Sequence, residues 1–233
     1  MDPVAVAREP AVAVLWDLDG VLVDTEGLLY EAERVAFAEH GVVLTPEAKR
    51  PFIGMGGHEV LAAIVTALGV DVDLHVLAAR KLEVFRELTP SLRGFAPTAA
   101  MVRALAAAGV PQAVASGNSR EGIAAALHVV GLDDVLTVQV SAEEVAAGKP
   151  APDVFLEAAG RLGVPPSACT VVEDAVPGVL AAAAAGMRCL AIPGVSDPWD
   201  ERFAAADLVV AGGMDAADPQ ALVRWLLDGH ARP

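Results

Sequence analysis

The sequence predicts an α/β fold: a doubly wound, mainly parallel sheet with an all-helical insertion after its first strand. Three observations lead there. Residues Val12 to Trp16 are apolar without alternation, as in a strand buried on both faces, and the run ends in Asp17, Asp19 and Gly20. From Arg93 onward, strand and helix patterns alternate, which implies βαβ units and a sheet covered on both sides. Between these regions, residues 25–91 carry helical periodicity and no convincing strand. The expected division is therefore a core of residues 1–24 and 92–233, with residues 25–91 as the insertion.

The elements follow in order. From Thr25 to His40, Leu28, Ala32, Val35 and Ala36 recur at helical spacing among charged residues, and Gly41 stops the helix. A second helix is expected over Gly57 to Leu68, with Val60, Leu61, Ile64 and Leu68 as its stripe, and a third over Leu74 to Leu88. Thr89, Pro90 and Ser91 then break the chain. A helix carrying Met101, Leu105 and Ala108 ends at Gly109, and a strand runs from Pro111 to Ala115. Ile123, Leu127 and Val130 mark the next helix, and Val135 to Val140 a weaker strand. Pro152 starts a helix with Phe155, Ala159 and Leu162. The rest reads as strand Cys169–Val172, helix Pro177–Ala185, strand Met187–Ile192, a short strand Leu208–Val210, and a terminal helix capped by Asp218 and Pro219.

Composition narrows the function. Apolar residues make up 55% of the 233 and aromatics only 4%, so the core must be built from Ala, Val and Leu. A net charge of -15 argues against attraction to nucleic acid or to an anionic membrane. It also means that any phosphate site needs local cations to overcome the field. Cys169 and Cys189 read as reduced core residues, and the five histidines show no metal-ligand spacing. Residues Met1 to Pro10 lack a secretory pattern, and the richest apolar run, Val176 to Ile192, is interrupted by Pro177, Gly186 and Arg188. The expectation is a cytoplasmic protein, monomeric, with a homodimer as the alternative.

The strand ends carry the chemistry. Asp17 and Asp19 end the first, and Ser116-Gly117-Asn118-Ser119 follows the second and leads into a helix, where backbone amides can hold an anion. Lys149 lies in Gly148-Lys149-Pro150-Ala151-Pro152, fixed between a glycine and prolines, and Glu173-Asp174 ends the Cys169 strand. Converging carboxylates with no His or Cys describe an oxygen-ligand site for Mg²⁺. A hydroxyl, amides and a lysine describe a cradle for phosphate, and phosphoryl transfer needs both.

These four motifs, Asp17-Leu-Asp-Gly-Val-Leu-Val-Asp-Thr-Glu, Ser116, Lys149 and Glu173-Asp174, resemble in order those of the haloacid dehalogenase-like hydrolase superfamily. The insertion resembles its capped branch, which includes β-phosphoglucomutase and small sugar-phosphate phosphatases. The resemblance implies a Rossmann-like core and the following roles. Asp17 would be nucleophile and metal ligand. Asp19 would be general acid and base, lending its carbonyl to the metal. Ser116, Gly117 and Asn118 would bind the phosphoryl group and Lys149 would neutralise it. Asp174 with Glu173 would hold Mg²⁺, and Thr25 would lie at the hinge into the cap. Leu29 and Gly57 stand where the mutase branch implies a histidine and an arginine. The resemblance therefore favours Mg²⁺-dependent hydrolysis of a small phosphorylated metabolite, a sugar or polyol phosphate. A mutase and a phospho-accepting receiver module are the alternatives. Gly54-Met55-Gly56-Gly57-His58 reads either as a turn before a helix or as a specificity loop.

Overall fold

A computed structural model describes residues 13–49, 52, 57–194 and 200–228. Six strands form one parallel sheet: β1 (Ala13–Trp16), β4 (Gln112–Ser116), β5 (Val138–Ser141), β6 (Cys169–Glu173), β7 (Arg188–Ala191) and β8 (Leu208–Val209). Their order is β5-β4-β1-β6-β7-β8, which places β1 between β4 and β6. The winding reverses at β1, so the loops leaving β1, β4 and β6 open beside one another; such a switch point is where open α/β sheets build ligand sites.

β1, β4, β6 and β7 are buried along their whole length, as strands covered on both faces are; β1 is wholly apolar, and the others bury Gln112, Ser116, Thr170, Glu173 and Arg188 as well. One face of the sheet packs Leu15, Ala113, Ala115, Val171 and Cys189 against Val154, Phe155 and Ala158 of α7 (Asp153–Leu162) and Val179 and Ala182 of α8 (Val176–Ala184). With so few aromatics, alanines let these helices lie close to the sheet. Trp16 solves its own polarity within the core. Its indole N–H donates to Gln112 Oε1 at 2.9 Å, and Gln112 Nε2 donates to the Val102 carbonyl of α5 (Ala96–Ala107) at 3.0 Å. Cys169 and Cys189 are buried free thiols in β6 and β7. At the far end α9 (Pro219–Asp228) is capped by Asp218, which accepts from the Gln220 and Ala221 amides.

The chain divides into two compact units, residues 1–23 with 94–233, and residues 24–93. The second is helical: α1 (Glu26–Ala38), a short α2 (Pro46–Lys49), α3 (Gly57–Leu68) and α4 (Leu74–Leu88). Its core joins Ala36, Phe37, Leu44, Val60, Leu61, Ile64 and Leu77. α4 starts on Asp73, whose carboxylate accepts from the His75 and Val76 amides. Glu33 is buried and shared by two lysines, Lys49 at 2.8 Å and Lys81 at 2.7 Å, which ties α1 to α2 and α4. Glu33→Ala should cost about 3–5 kcal/mol in urea denaturation, because two nearly buried ammonium groups lose their common carboxylate. A loss under about 1 kcal/mol would show that the network is no better than a surface pair.

Several boundaries differ from expectation. β5 starts at Val138, not Val135, because the Val135 and Leu136 amides still turn back onto the Leu132 carbonyl. α2 and the two-residue strands β2 (Val23–Asp24) and β3 (Arg93–Gly94), which form a second small sheet, are too short for any periodicity to show. Pro152 is the residue before α7 rather than its first turn. Val12 and residues 54–56 lie outside the described residues, so the reading of Gly54 to His58 as a turn or a specificity loop has no structural account. Among the described residues, no helix is long and apolar enough to cross a membrane.

Candidate active site

Asp17 lies one residue beyond β1, and its amide donates to the Val172 carbonyl at 3.0 Å, so the β6 ladder still governs its backbone. The chain then turns sharply: the Leu22 and Val23 amides return to the Leu18 carbonyl, and Gly20 adopts φ 79°. A Cβ at Gly20 would lie 2.1 Å from Asp174 Oδ2. Gly20 is therefore required twice, by its left-handed backbone and by the carboxylate that sits against it.

Lys149, preceding a cis peptide bond to Pro150, reaches into the carboxylates. Its ammonium contacts Asp17 Oδ1 and lies 2.7 Å from Glu173 Oε1, and it stands 4.8 Å from the centre of the Phe155 ring. Glu173 ends β6 and is engaged on both oxygens: Oε2 accepts from the Asp174 and Ala175 amides at 2.9 and 3.0 Å. Gly178, in the first turn of α8, leaves the space that Glu173 occupies, since a Cβ there would fall 1.6 Å from Oε1. Gly178→Ala should thus evict Glu173, loosen Lys149, and lower both stability, by about 1–3 kcal/mol, and any turnover. Gly160→Ala is the matched control, because a Cβ there meets nothing within 4 Å. Equal effects of the two alanines would refute the reading.

Ser116, the last residue of β4, is fully buried. Its hydroxyl accepts from the Asn118 amide at 3.0 Å and donates to Asp19 Oδ2 at 3.5 Å. Gly117 has neither positive φ nor a protein atom within 4 Å of a would-be Cβ, so it leaves open space beside Ser116. Ser119 caps the following helix, α6 (Arg120–Val129), by accepting from the Gly122 amide.

The electrostatics are lopsided. Burial, and then Glu173 and Asp19 beside it, push the Asp17 carboxyl up to about 7 although Lys149 pulls it down. Burial with Glu173 and Asp17 pushes Asp174 well above the carboxylate range. Burial pulls the Lys149 ammonium down, but Asp17 and Glu173 more than offset this and hold it above the lysine range. Among the described residues one cation, Lys149, stands with these carboxylates, and their surplus negative charge adds to burial in raising the two aspartates. Oxygens of Asp17, Glu173 and Asp174 lie within 4.8 Å of one another. An all-oxygen, over-negative donor set fits a hard divalent cation. Glu173 has the least to give to an ion, since both of its oxygens already accept bonds.

The structure thus gathers Asp17, Lys149, Glu173 and Asp174 into one cluster, and joins Ser116 and Asn118 to Asp19. Sequence reasoning marked Gly20 without its role and missed Gly178. Gly20 follows the acidic pair and Gly178 lies five residues after Glu173, but only the folded packing shows what each makes room for.

Comparison with known proteins finds relatives over most of the chain. The chain is 31% identical over 203 residues to the bifunctional riboflavin kinase/FMN phosphatase of Arabidopsis thaliana, covering 87% of this chain and 53% of that protein, so it spans about half the relative's length. It is 33% identical over 179 residues to a fructose-1-phosphate phosphatase of Escherichia coli, covering 77% of this chain and 95% of the relative. A family hydrolase of Deinococcus radiodurans, solved with bound phosphate and sodium, superposes with a TM-score of 0.75 at 30% identity, over 94% of this chain and 99% of that one. The family model described as haloacid dehalogenase-like hydrolase matches residues 12–186, and the chain belongs to that family.

Proposed function

We propose that the protein is a Mg²⁺-dependent phosphatase that hydrolyses a small phosphate monoester, a sugar or polyol phosphate, through an aspartyl-phosphate on Asp17. The observation that carries this reading is the buried Lys149 held between Asp17 and Glu173, with the Ser116 hydroxyl bonded to Asp19 at the neighbouring strand end. Relatives named for FMN and fructose 1-phosphate support the substrate class. In this reading residues 25–91 act as a cap, and residues 1–24 with 92–233 as the catalytic core.

Asp17 attacks phosphorus, the bond from phosphorus to the ester oxygen breaks, and Asp19 gives its proton to the departing alcohol. Asp19 then takes a proton from water, whose oxygen attacks the same phosphorus, and the bond from phosphorus to Asp17 breaks. Ser116 and the Gly117 amide orient the phosphoryl oxygens, the Asn118 amide holding the Ser116 hydroxyl in place, and Lys149 offsets their charge. Mg²⁺ held by Asp17, Asp174 and the Asp19 carbonyl would supply charge neutralisation at those oxygens. Glu173 positions Lys149 and lends the ion at most its remaining lone pairs.

The test is phosphate release from a panel of sugar and polyol phosphates. Many turnovers per chain are expected, abolished by EDTA and restored by Mg²⁺. Release of one phosphate per chain would instead favour the receiver module. Conversion of β-glucose 1-phosphate to glucose 6-phosphate without net release would favour the mutase.

A further inference from the structure

β4 and β5 run parallel with Ser116 directly opposite Ser141, and both side chains are completely buried. Asn118, two residues past β4, is held by both serines. Its amide donates to Ser116 Oγ at 3.0 Å, and its carbonyl accepts from Ser141 Oγ at 2.7 Å. The same Ser141 hydroxyl accepts from the Glu143 amide at 3.1 Å, and the Ser141 amide donates to Glu144 Oε2 at 2.8 Å. These bonds close a capping box on the 3-10 turn Ala142–Glu144, from which the chain continues to Lys149. One buried hydroxyl therefore spends its proton on the Ser116–Asn118 loop and its lone pair on the segment leading to the lysine.

A buried hydroxyl is costly unless its bonds are made, and an alanine would suit the apolar end of β5 just as well. The bonds also have a direction. With the Asn118 carbonyl held by Ser141, the backbone of the residue is fixed so that its amide, in the preceding peptide group, fills a lone pair of Ser116 Oγ and leaves the Ser116 proton to point elsewhere. In this structure it points to Asp19.

We propose that Ser141 is a positioning residue of the phosphate site: by holding the Asn118 carbonyl it fixes the loop whose Asn118 amide aims the Ser116 hydroxyl, and it keeps that loop in register with the Lys149 segment. The proposal rests on the phosphatase reading, and it adds a residue that touches neither substrate nor metal.

The test uses the full chain with Mg²⁺ and inorganic phosphate as the probe, its affinity measured by calorimetry, alongside KM and kcat for p-nitrophenyl phosphate. Ser141→Ala should weaken phosphate binding and raise KM together by about fivefold or more, one lost hydrogen bond's worth. Ser141→Thr, which keeps the hydroxyl, should recover most of that loss. If Ser141→Ala does not accumulate as folded protein, Ser141→Cys keeps the shape, donates only weakly and is read the same way. Phosphate affinity within about twofold of the wild type in the alanine (or cysteine) variant, even with a lowered melting temperature, would show a merely structural role and overturn the proposal. So would a threonine variant that folds but binds phosphate as poorly as the alanine. A wild type that binds phosphate but turns over no ester defeats the phosphatase reading, and the binding series then still decides the role of Ser141. A wild type that does neither overturns both.

Discussion

Asp17→Asn is expected to leave a folded protein whose turnover of p-nitrophenyl phosphate falls by at least about a thousandfold, since the amide cannot serve as the nucleophile. Retention of more than about a tenth of the activity would remove Asp17 from the reaction and with it the proposed mechanism. The same substitution carries a second expectation with the opposite sign. In metal-free protein the Asp17 carboxyl is held up to about 7 by burial and by its acidic neighbours, against an ordinary 3.8. Its folded value lies above its unfolded one, so the fold favours the protonated form. Stability is therefore lost as pH rises from about 4 to about 7 and is level above that, by an amount on the order of 4 kcal/mol. Asn removes the group that must ionise. In EDTA, the variant should be more stable than the wild type at pH 8, and the advantage should vanish near pH 4. A variant less stable at pH 8 would mean that the contact with Lys149 outweighs the burial of the charge. Saturating Mg²⁺ should shrink the difference, because a bound cation relieves the same surplus of negative charge.

Which parts of this site could be read from the sequence follows from where each signal resides. Asp17, Ser116 and Glu173-Asp174 are legible because each punctuates an apolar strand. The parallel order then brings the ends of β1, β4 and β6 together whatever the details of packing. Lys149 is legible through its Gly/Pro frame. Other features depend on contacts between segments far apart in the chain. That Glu173 is occupied on both oxygens needs the position of Lys149, 24 residues earlier, and the absence of a side chain at Gly178. Ser141 is a single polar residue just after the weak pattern of Val135 to Val140, and β5 begins three residues later than that pattern because Val135 and Leu136 are apolar yet turn back onto Leu132. In the helical unit, Glu33 was one of several acids among the polar residues of α1. Only the convergence of Lys49 and Lys81 shows that it points inward.

Lys149→Met should produce the largest combined loss, in both stability and catalysis. Methionine keeps an unbranched apolar stem but removes the ammonium that, among the described residues, lies against Asp17 and Glu173 and over the Phe155 ring. Glu173 is most affected. It is nearly inaccessible, and without Lys149 its charge rests on two backbone amides alone. Breaking a buried pair from one side costs about 3–5 kcal/mol, and that is the destabilisation expected for metal-free protein at pH 8. At pH 5 the loss should be smaller, because removing the cation drives the already raised aspartates further toward the neutral form, which needs no counter-charge. Turnover should fall by about a hundredfold or more, since the charge that faced the phosphoryl oxygens is gone. Glu173→Gln separates the two roles when combined with Lys149→Met: its one acceptor oxygen can still serve the Asp174 and Ala175 amides, while one negative charge leaves the cluster. If Lys149 also acts on the phosphoryl group directly, Glu173→Gln should restore the stability of Lys149→Met without restoring turnover. If turnover returned as well, the lysine would have no direct part in handling phosphate, and the assignment of its charge to the transferring group would fail.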